Sequence, residues 1–191
     1  MYTHPFPNMD ALFLEKALEQ YRRHISPEGL RTCERIEEVM MLCARETPVY
    51  EQISSFAVAL YTIGYFDCPD LMAVADIDSA EAGRILQEDF IRVAAEDIPL
   101  EYRIMESDER YMLVAGDPLF PVHFAVLADC RSNRPFFSKL PFFGSGFDSL
   151  TELIDEFAGI DGVGPEDFCY FRIKAGGGIP ADAMGKIYIL K

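Results

Sequence analysis

Residues 100–128 read LEYRIMESDERYMLVAGDPLFPVHFAVLA. Three apolar runs stand out: Leu100 to Met105, Arg110 to Ala115 and Val122 to Ala128. The turn-type segments ESDE and GDPLFP separate them. Runs of strand length joined by short turns predict three neighbouring strands in an antiparallel meander. Working outward, Asp78-x-x-Glu81 is a capping-box pattern with Asp in the first place. It predicts a helix from Ser79 to Glu96, with Ala82, Ile85, Leu86, Phe90 and Val93 facing inward. On the other side, Ser149-x-x-Glu152 opens a short helix through Phe157, stopped at Gly159. Phe168 to Ala175 and Lys186 to Leu190 read as the last strands, joined by the glycine-rich GGGIPADAMG.

Further out, Ile53 to Tyr65 carries no charge and is rich in β-branched, aromatic and small residues. It reads as a buried strand ending at Gly64. Leu71 to Ala75 reads as another short strand after the turn YFDCPD. The N-terminal segment is helical in pattern. Asn8 or Asp10 caps a first helix carrying Leu12, Phe13, Ala17, Leu18 and Tyr21. Ser26-Pro27 restarts it, with Ser as N-cap and Pro in the first turn. Leu30, Cys33, Ile36, Val39, Met40 and Cys43 make the apolar face; Glu34, Glu37 and Glu38 lie opposite, and Thr47-Pro48 ends the helix. The expected fold class is therefore α+β. A single domain over 1–191 has a helical N-terminal arm (1–46) and a sheet-containing core (53–191). About seven strands, mainly antiparallel, are covered by about four helices.

Residues 60–90, LYTIGYFDCPDLMAVADIDSAEAGRILQEDF, resemble the opening of an uncharacterised bacterial domain-of-unknown-function family. Members begin Tyr-Thr-Ile/Val-Gly and continue through a Pro-Glu/Asp-Leu strand into a helix. The matching residues are Tyr61, Thr62, Ile63, Gly64, Pro69, Asp70 and Leu71, within a partial match over about residues 56–128. The histidine that often precedes the proline is Cys68 here. The resemblance implies a bacterial, cytosolic, α+β protein and transfers no catalytic residue.

Seventeen Lys+Arg stand against 32 Asp+Glu, a net charge of −15, while half of the 191 residues are hydrophobic. That apolar content is globular. The charge excludes nucleic acid and anionic membrane as general partners. No uncharged apolar run reaches the roughly 18 residues of a membrane span, and no signal peptide is legible. Five scattered cysteines without a CxxC pair point to free thiols in a cytoplasmic protein and away from zinc. No cofactor motif is present. Charge is unevenly spread: Asp76–Glu109 holds eleven acidic residues and three Arg, whereas Arg131–Phe147 holds three basic residues, no acidic ones and five Phe.

Few residues suggest chemistry. His123 with Cys68 and Asp70 is a conceivable thiol constellation, but a strand histidine and a buried thiol explain them as well. Ser145 fails the Gly-x-Ser-x-Gly pattern, because Phe143 stands two places before it. Gly176–Gly178 meets neither phosphate-loop pattern. Asp67, Asp70, Asp76 and Asp78 read as a solvated turn and a helix cap, not a metal site. The segment RSNRPFFSKLPFFGSGF is the least ordinary. Arg131, Arg134, Phe136, Phe137, Lys139, Phe142 and Phe143 suit a recognition loop; the blander reading, that the rings are core filler beneath a long connection, is favoured over it. The leading expectation is a non-enzymatic, acidic interaction protein with a basic protein partner, immunity-protein-like in size, charge and compartment. The alternative is a small-molecule-binding domain or enzyme with a pocket under the 131–147 segment, near Tyr61, Cys68 and His123. A homo-oligomer is compatible with either.

Overall fold

The computed structural model describes residues 25–44 and 53–178. They form an α+β fold in which one six-stranded antiparallel sheet is covered by helices. In chain order the elements are α1 (Pro27–Leu42), α2 (Ser55–Thr62), α3 (Ser79–Asp89), β1 (Phe90–Val93), β2 (Tyr111–Asp117), β3 (Phe120–Leu127), β4 (Phe136–Leu140), β5 (Gly144–Asp148), α4 (Leu150–Phe157) and β6 (Phe168–Ile173). The strand order is β1-β6-β2-β3-β4-β5, so the last strand inserts between the first and second. The expected helix near the N-terminus, the Thr47-Pro48 stop and the strand Lys186–Leu190 lie outside the described residues.

Helix starts follow the local capping chemistry. Ser26 accepts from the Gly29 N–H at 3.0 Å, and Pro27 opens α1. Asp78 accepts from the Glu81 N–H at 2.9 Å. Ser149 and Glu152 form a reciprocal capping box at α4. Each bond satisfies an otherwise orphaned N–H of a first turn.

The strand expected over Ile53–Tyr65 is instead helix α2. Every residue from Phe56 to Thr62 is buried, so the run has no polar face and shows no helical period. Ser54 caps its start and Gly64 its end, at φ +79°. There the Gly64 N–H reaches the Tyr61 carbonyl and the Tyr65 N–H the Leu60 carbonyl, a left-handed C-terminal motif that glycine serves without strain. Leu71–Ala73 is likewise a 3-10 turn and not a strand, capped by Asp70.

Two boundaries also shift. Helix α3 stops at Asp89, because Phe90–Val93 pairs with β6 from Phe90↔Ile173 to Val93↔Tyr170. Leu100–Met105 does not enter the sheet as a ladder strand. It makes a single bridge, Arg103↔Asp129, then turns at Ile104–Glu106 to receive the Ser26 N–H on the Met105 carbonyl. The meander reading survives for β2 and β3, paired from Met112↔Val126 to Asp117↔Phe120 with a bulge at Ala115/Gly116.

Adjacent residues of β3 mark the two faces of the sheet. The Phe124 ring meets Phe56 of α2 edge-on at 4.9 Å, and the His123 ring stacks on Phe157 of α4 at 4.2 Å. Strand alternation puts these neighbours on opposite faces. Ile36, Val39 and Cys43 of the N-terminal arm belong to the same buried cluster as the sheet, so the described part of the arm is not a separate layer.

Close packing makes one glycine informative. A Cβ on Gly83 in α3 would lie 2.0 Å from the Leu119 carbonyl oxygen of the β2–β3 turn. Helix propensity alone favours alanine there by about 1 kcal/mol. Overpacking against backbone should reverse the sign, so Gly83→Ala is expected to lose about 1–3 kcal/mol. A urea unfolding midpoint equal to or above that of the parent refutes this packing.

Candidate functional site

The Phe-rich segment is a β-hairpin and not a loop. β4 pairs β5 from Phe136↔Asp148 to Leu140↔Gly144. Phe136 and Phe137 are 2% and 0% exposed. Phe137 meets Phe147 at 5.2 Å and Phe136 meets Tyr170 at 6.2 Å. Lys139 is buried as well. The contact surface expected over the whole segment therefore contracts, with Phe136, Phe137 and Lys139 taken into the core. Phe142 and Phe143 stay at the hairpin tip, 73% and 50% exposed.

The basic run is not a positive patch either. Arg134 pairs with Glu152 of α4, and Arg131 lies 3.5 Å from Glu101 and 3.8 Å from Asp129. Both arginines precede β4, while the Phe pair follows it, so a strand length separates charge from rings.

The tip rests against the end of α1. The Ser145 N–H donates to the Cys43 carbonyl at 3.0 Å, and its hydroxyl to the Val39 carbonyl at 3.2 Å. Met40 and Met41 are exposed at that same helix end, Met41 by 78%. No basic residue occupies the last turn of α1. Glu34 and Glu37 are exposed along the same helix, so acidic side chains and an apolar tip lie on neighbouring elements.

Tyr61, Cys68 and His123 do not converge. Tyr61 donates its hydroxyl to Glu38 and lies under the Arg35 guanidinium, 5.4 Å from the ring centre. Glu38 also accepts the Leu71 N–H at 3.0 Å. Burial first, and then the bond to Glu38, raise the Tyr61 pKa. Cys68 donates to the Asp70 carbonyl at 3.4 Å, and burial raises its thiol, the reverse of an activated nucleophile. His123 lies on the other sheet face. Burial, supported by the charge of Lys139, lowers its pKa to about 3, and its Nε2 has no hydrogen-bond partner. A general base needs a reachable proton and an orienting partner; the His123 geometry supplies neither. The five cysteines are free. Among the described residues no group of three or more His, Cys, Asp or Glu is placed to hold a metal ion, and no helix is long and apolar enough to cross a membrane.

One feature escaped the sequence reading. Arg110, Arg172 and Lys174 share the wall of a pocket of about 630 Å³ with Glu28, Asp108 and Glu109. Arg110 is 4% exposed. Its only signal in the sequence was a cation opening the apolar run Tyr111–Ala115.

The two phenylalanine pairs should separate sharply. Phe136→Ala/Phe137→Ala removes two core rings at about 3–5 kcal/mol each and is expected to abolish cooperative unfolding. Phe142→Ala/Phe143→Ala is expected to stay within about 1 kcal/mol of the parent. Equal losses in thermal melts would contradict this division.

His123 predicts a pH dependence of definite sign. Its folded pKa lies below the unfolded value of about 6.5, so the unfolded chain binds the proton first. The full contribution to stability is present above about pH 6.5 and drains as pH falls toward 3, by at most about 1.4 kcal/mol per unit. His123→Phe removes this slope. Urea midpoints of both proteins at pH 7 and 5 are expected to show a larger acid loss in the parent; parallel losses would overturn the assignment.

Comparison with protein-family models, with curated proteins and with solved structures finds no match to this chain.

Proposed function

We propose that this is a non-enzymatic, acidic protein-binding module. It engages a basic protein partner through the hairpin tip Phe142–Phe143 beside the C-terminal end of α1. The observation that carries the reading is the exposure of two adjacent rings on a hairpin whose other aromatic pair is fully buried. Exposed aromatics next to exposed methionines supply anchor area, because rings and thioethers bury much surface at modest entropic cost. A net charge of −15 supplies steering toward a cationic surface. The pairing of Arg131 and Arg134 with acidic neighbours reduces the repulsion that this segment would offer such a partner. This is the chemistry of an immunity-like neutraliser, meeting its target in a reducing bacterial cytosol, and the free cysteines support that setting.

The alternative, a small-molecule or catalytic pocket near Tyr61, Cys68 and His123, has less support. The sheet separates His123 from the other two, and burial raises the Cys68 thiol.

The test is affinity capture from the native host, followed by titration with the purified captured protein. A basic partner is expected, with affinity falling as salt rises. Phe142→Ala/Phe143→Ala is expected to weaken binding by about tenfold or more, near 1.4 kcal/mol, with the melting temperature unchanged. Capture of no basic protein, or equal binding by the variant, would defeat the proposal. Self-association that the variant abolishes, seen by gel filtration, would reassign the tip to a homo-oligomer contact.

A further inference from the structure

Three connections leave the sheet at one end. β2 and β3 stay paired to Asp117↔Phe120, so their turn is Pro118–Leu119. β4 runs antiparallel to β3 and pairs with β5 as far as Leu140↔Gly144, so its turn, 141–143, lies at that same end. β6 begins at Phe168, opposite Ala115 of β2, which brings the 158–167 connection there as well. Leu119, Phe120 and Ile160 are exposed at this end, together with Phe142 and Phe143. These are five of the eleven large apolar side chains exposed among the described residues. Scattered exposed apolar residues are ordinary; a set gathered at one end of a sheet marks an interaction surface.

The β2–β3 turn is exposed without being loose. The Leu119 N–H donates to Asp117 Oδ1 at 2.9 Å, and the Pro121 carbonyl accepts the Ser79 hydroxyl at 2.7 Å. The Leu119 carbonyl is seated against α3 at Gly83, and prolines at 118 and 121 restrict the backbone further. Leu119 and Phe120 thus project into solvent from a backbone with little freedom left to lose on binding. A pocket of about 380 Å³ lies beside this turn, between its first residues and the 161–167 connection. Four carboxylates line it, those of Asp117, Asp161, Glu166 and Asp167, against the one guanidinium of Arg92. Leu119 adjoins Pro118 of the lining and Ile160 adjoins Asp161, so apolar side chains flank the acids on both sides.

We propose that this end of the sheet docks a cationic amphipathic helix of the protein partner, its apolar face on Leu119, Phe120 and Ile160 and its Lys or Arg side chains over the carboxylates of the pocket. This rests on the protein-binding reading above and extends it from the Phe142–Phe143 tip to the neighbouring turn. Charge complementarity selects the cation: four carboxylates stand against one guanidinium in a chain of net charge −15. Topology selects the helix. An extended segment binds by adding to a free strand edge, and β2 and β3, which carry the turn, are each paired on both sides. A helix needs no such edge, and it presents apolar and cationic side chains side by side. A second copy of this chain fits less well, because in a two-fold contact the patch meets itself and the carboxylates face their own image.

The experiment titrates the full chain against a fluorescently labelled peptide of about four helical turns, Leu on one face and Lys on the other, and follows anisotropy. Binding is expected, weakening as salt rises from about 50 to about 300 mM. Leu119→Ser/Phe120→Ser is expected to lose about tenfold or more, and Asp161→Asn/Glu166→Gln about as much with a flatter salt dependence. Both variants change exposed side chains and are expected to keep the parent melting temperature. Asn suits the left-handed backbone at Asp161, φ +48°, so the second variant decides the matter if the first does not fold. The same peptide with Glu for Lys is expected not to bind. Phe142→Ala/Phe143→Ala separates the two readings. If it alone weakens binding, the hairpin tip is the docking surface and the composite surface is refuted; if only the other two variants do, the composite surface holds and the tip reading is refuted. Loss in all three joins both turns in one surface. No binding at about 100 μM peptide, equal binding by the parent and the Leu119/Phe120 and Asp161/Glu166 variants, or equal binding of the Glu peptide would overturn the proposal. So would Phe120-dependent sedimentation with pure phosphatidylcholine vesicles in place of peptide binding.

Discussion

The central strands β2 and β3 are buried on both faces, and the rest of the chain is arranged to cover them. From Tyr111 to Gly116 every residue of β2 is buried, and from His123 to Leu127 every residue of β3 is. A strand pair of this kind needs an apolar layer above and below, because each uncovered ring or aliphatic chain forfeits burial worth about 25 cal/mol per Å². On one face α2 provides the layer, and since α2 is itself covered by α1 it is apolar all round. On the other face α4 provides it with Leu153 and Phe157. The insertion of β6 between β1 and β2 ties the chain ends of the sheet together.

That double cover has a cost in polar groups. His123 is enclosed as a neutral ring because α4 closes over it, and its stack on Phe157 offers no acceptor to Nε2. Arg110 is enclosed because α1 begins directly over the start of β2, where Thr32 meets its Nε. The approach is close enough that a Cβ on Gly29 would fall 2.4 Å from the Ile104 carbonyl oxygen. Buried groups without partners are expensive in a low-dielectric interior. Their two positions differ in consequence: the His123 ring is sealed by an aromatic, whereas Arg110 borders a pocket.

Electrostatics divides the surface in a related way. The chain is strongly acidic, and Arg131 and Arg134 pair with Glu101, Asp129 and Glu152. Surface pairs of this type contribute little to stability. Here their consequence is that Arg131 and Arg134 each have carboxylates beside them, at the other end of β4 from the exposed Phe142–Phe143 tip. The hairpin is held to α1 by the Ser145 N–H on the Cys43 carbonyl and by the Ser145 hydroxyl on the Val39 carbonyl.

The sequence by itself determined what depends on a few neighbouring residues. The caps at Ser26, Asp78 and Ser149 were legible because each is closed by a bond spanning three residues. The β2–β3 hairpin and the α+β class were legible because alternation and turn chemistry are local. Helix α2 was not, because a run buried on every side carries no period to distinguish it from a strand. The division of the Phe-rich segment was not legible either: Phe136–Phe137 and Phe142–Phe143 have the same local pattern, with a proline just before each pair. Only the pairing of β4 with β3 and β5 sends the first pair into the core and leaves the second at a turn. The buried, unpartnered donors of Arg110 and Arg172 lie 62 residues apart in sequence, and the groups that do hold these side chains come from α1 and from the chain just before β2. Tertiary structure alone decided those features, because burial and unmet hydrogen bonds are properties of what the rest of the chain brings to a residue.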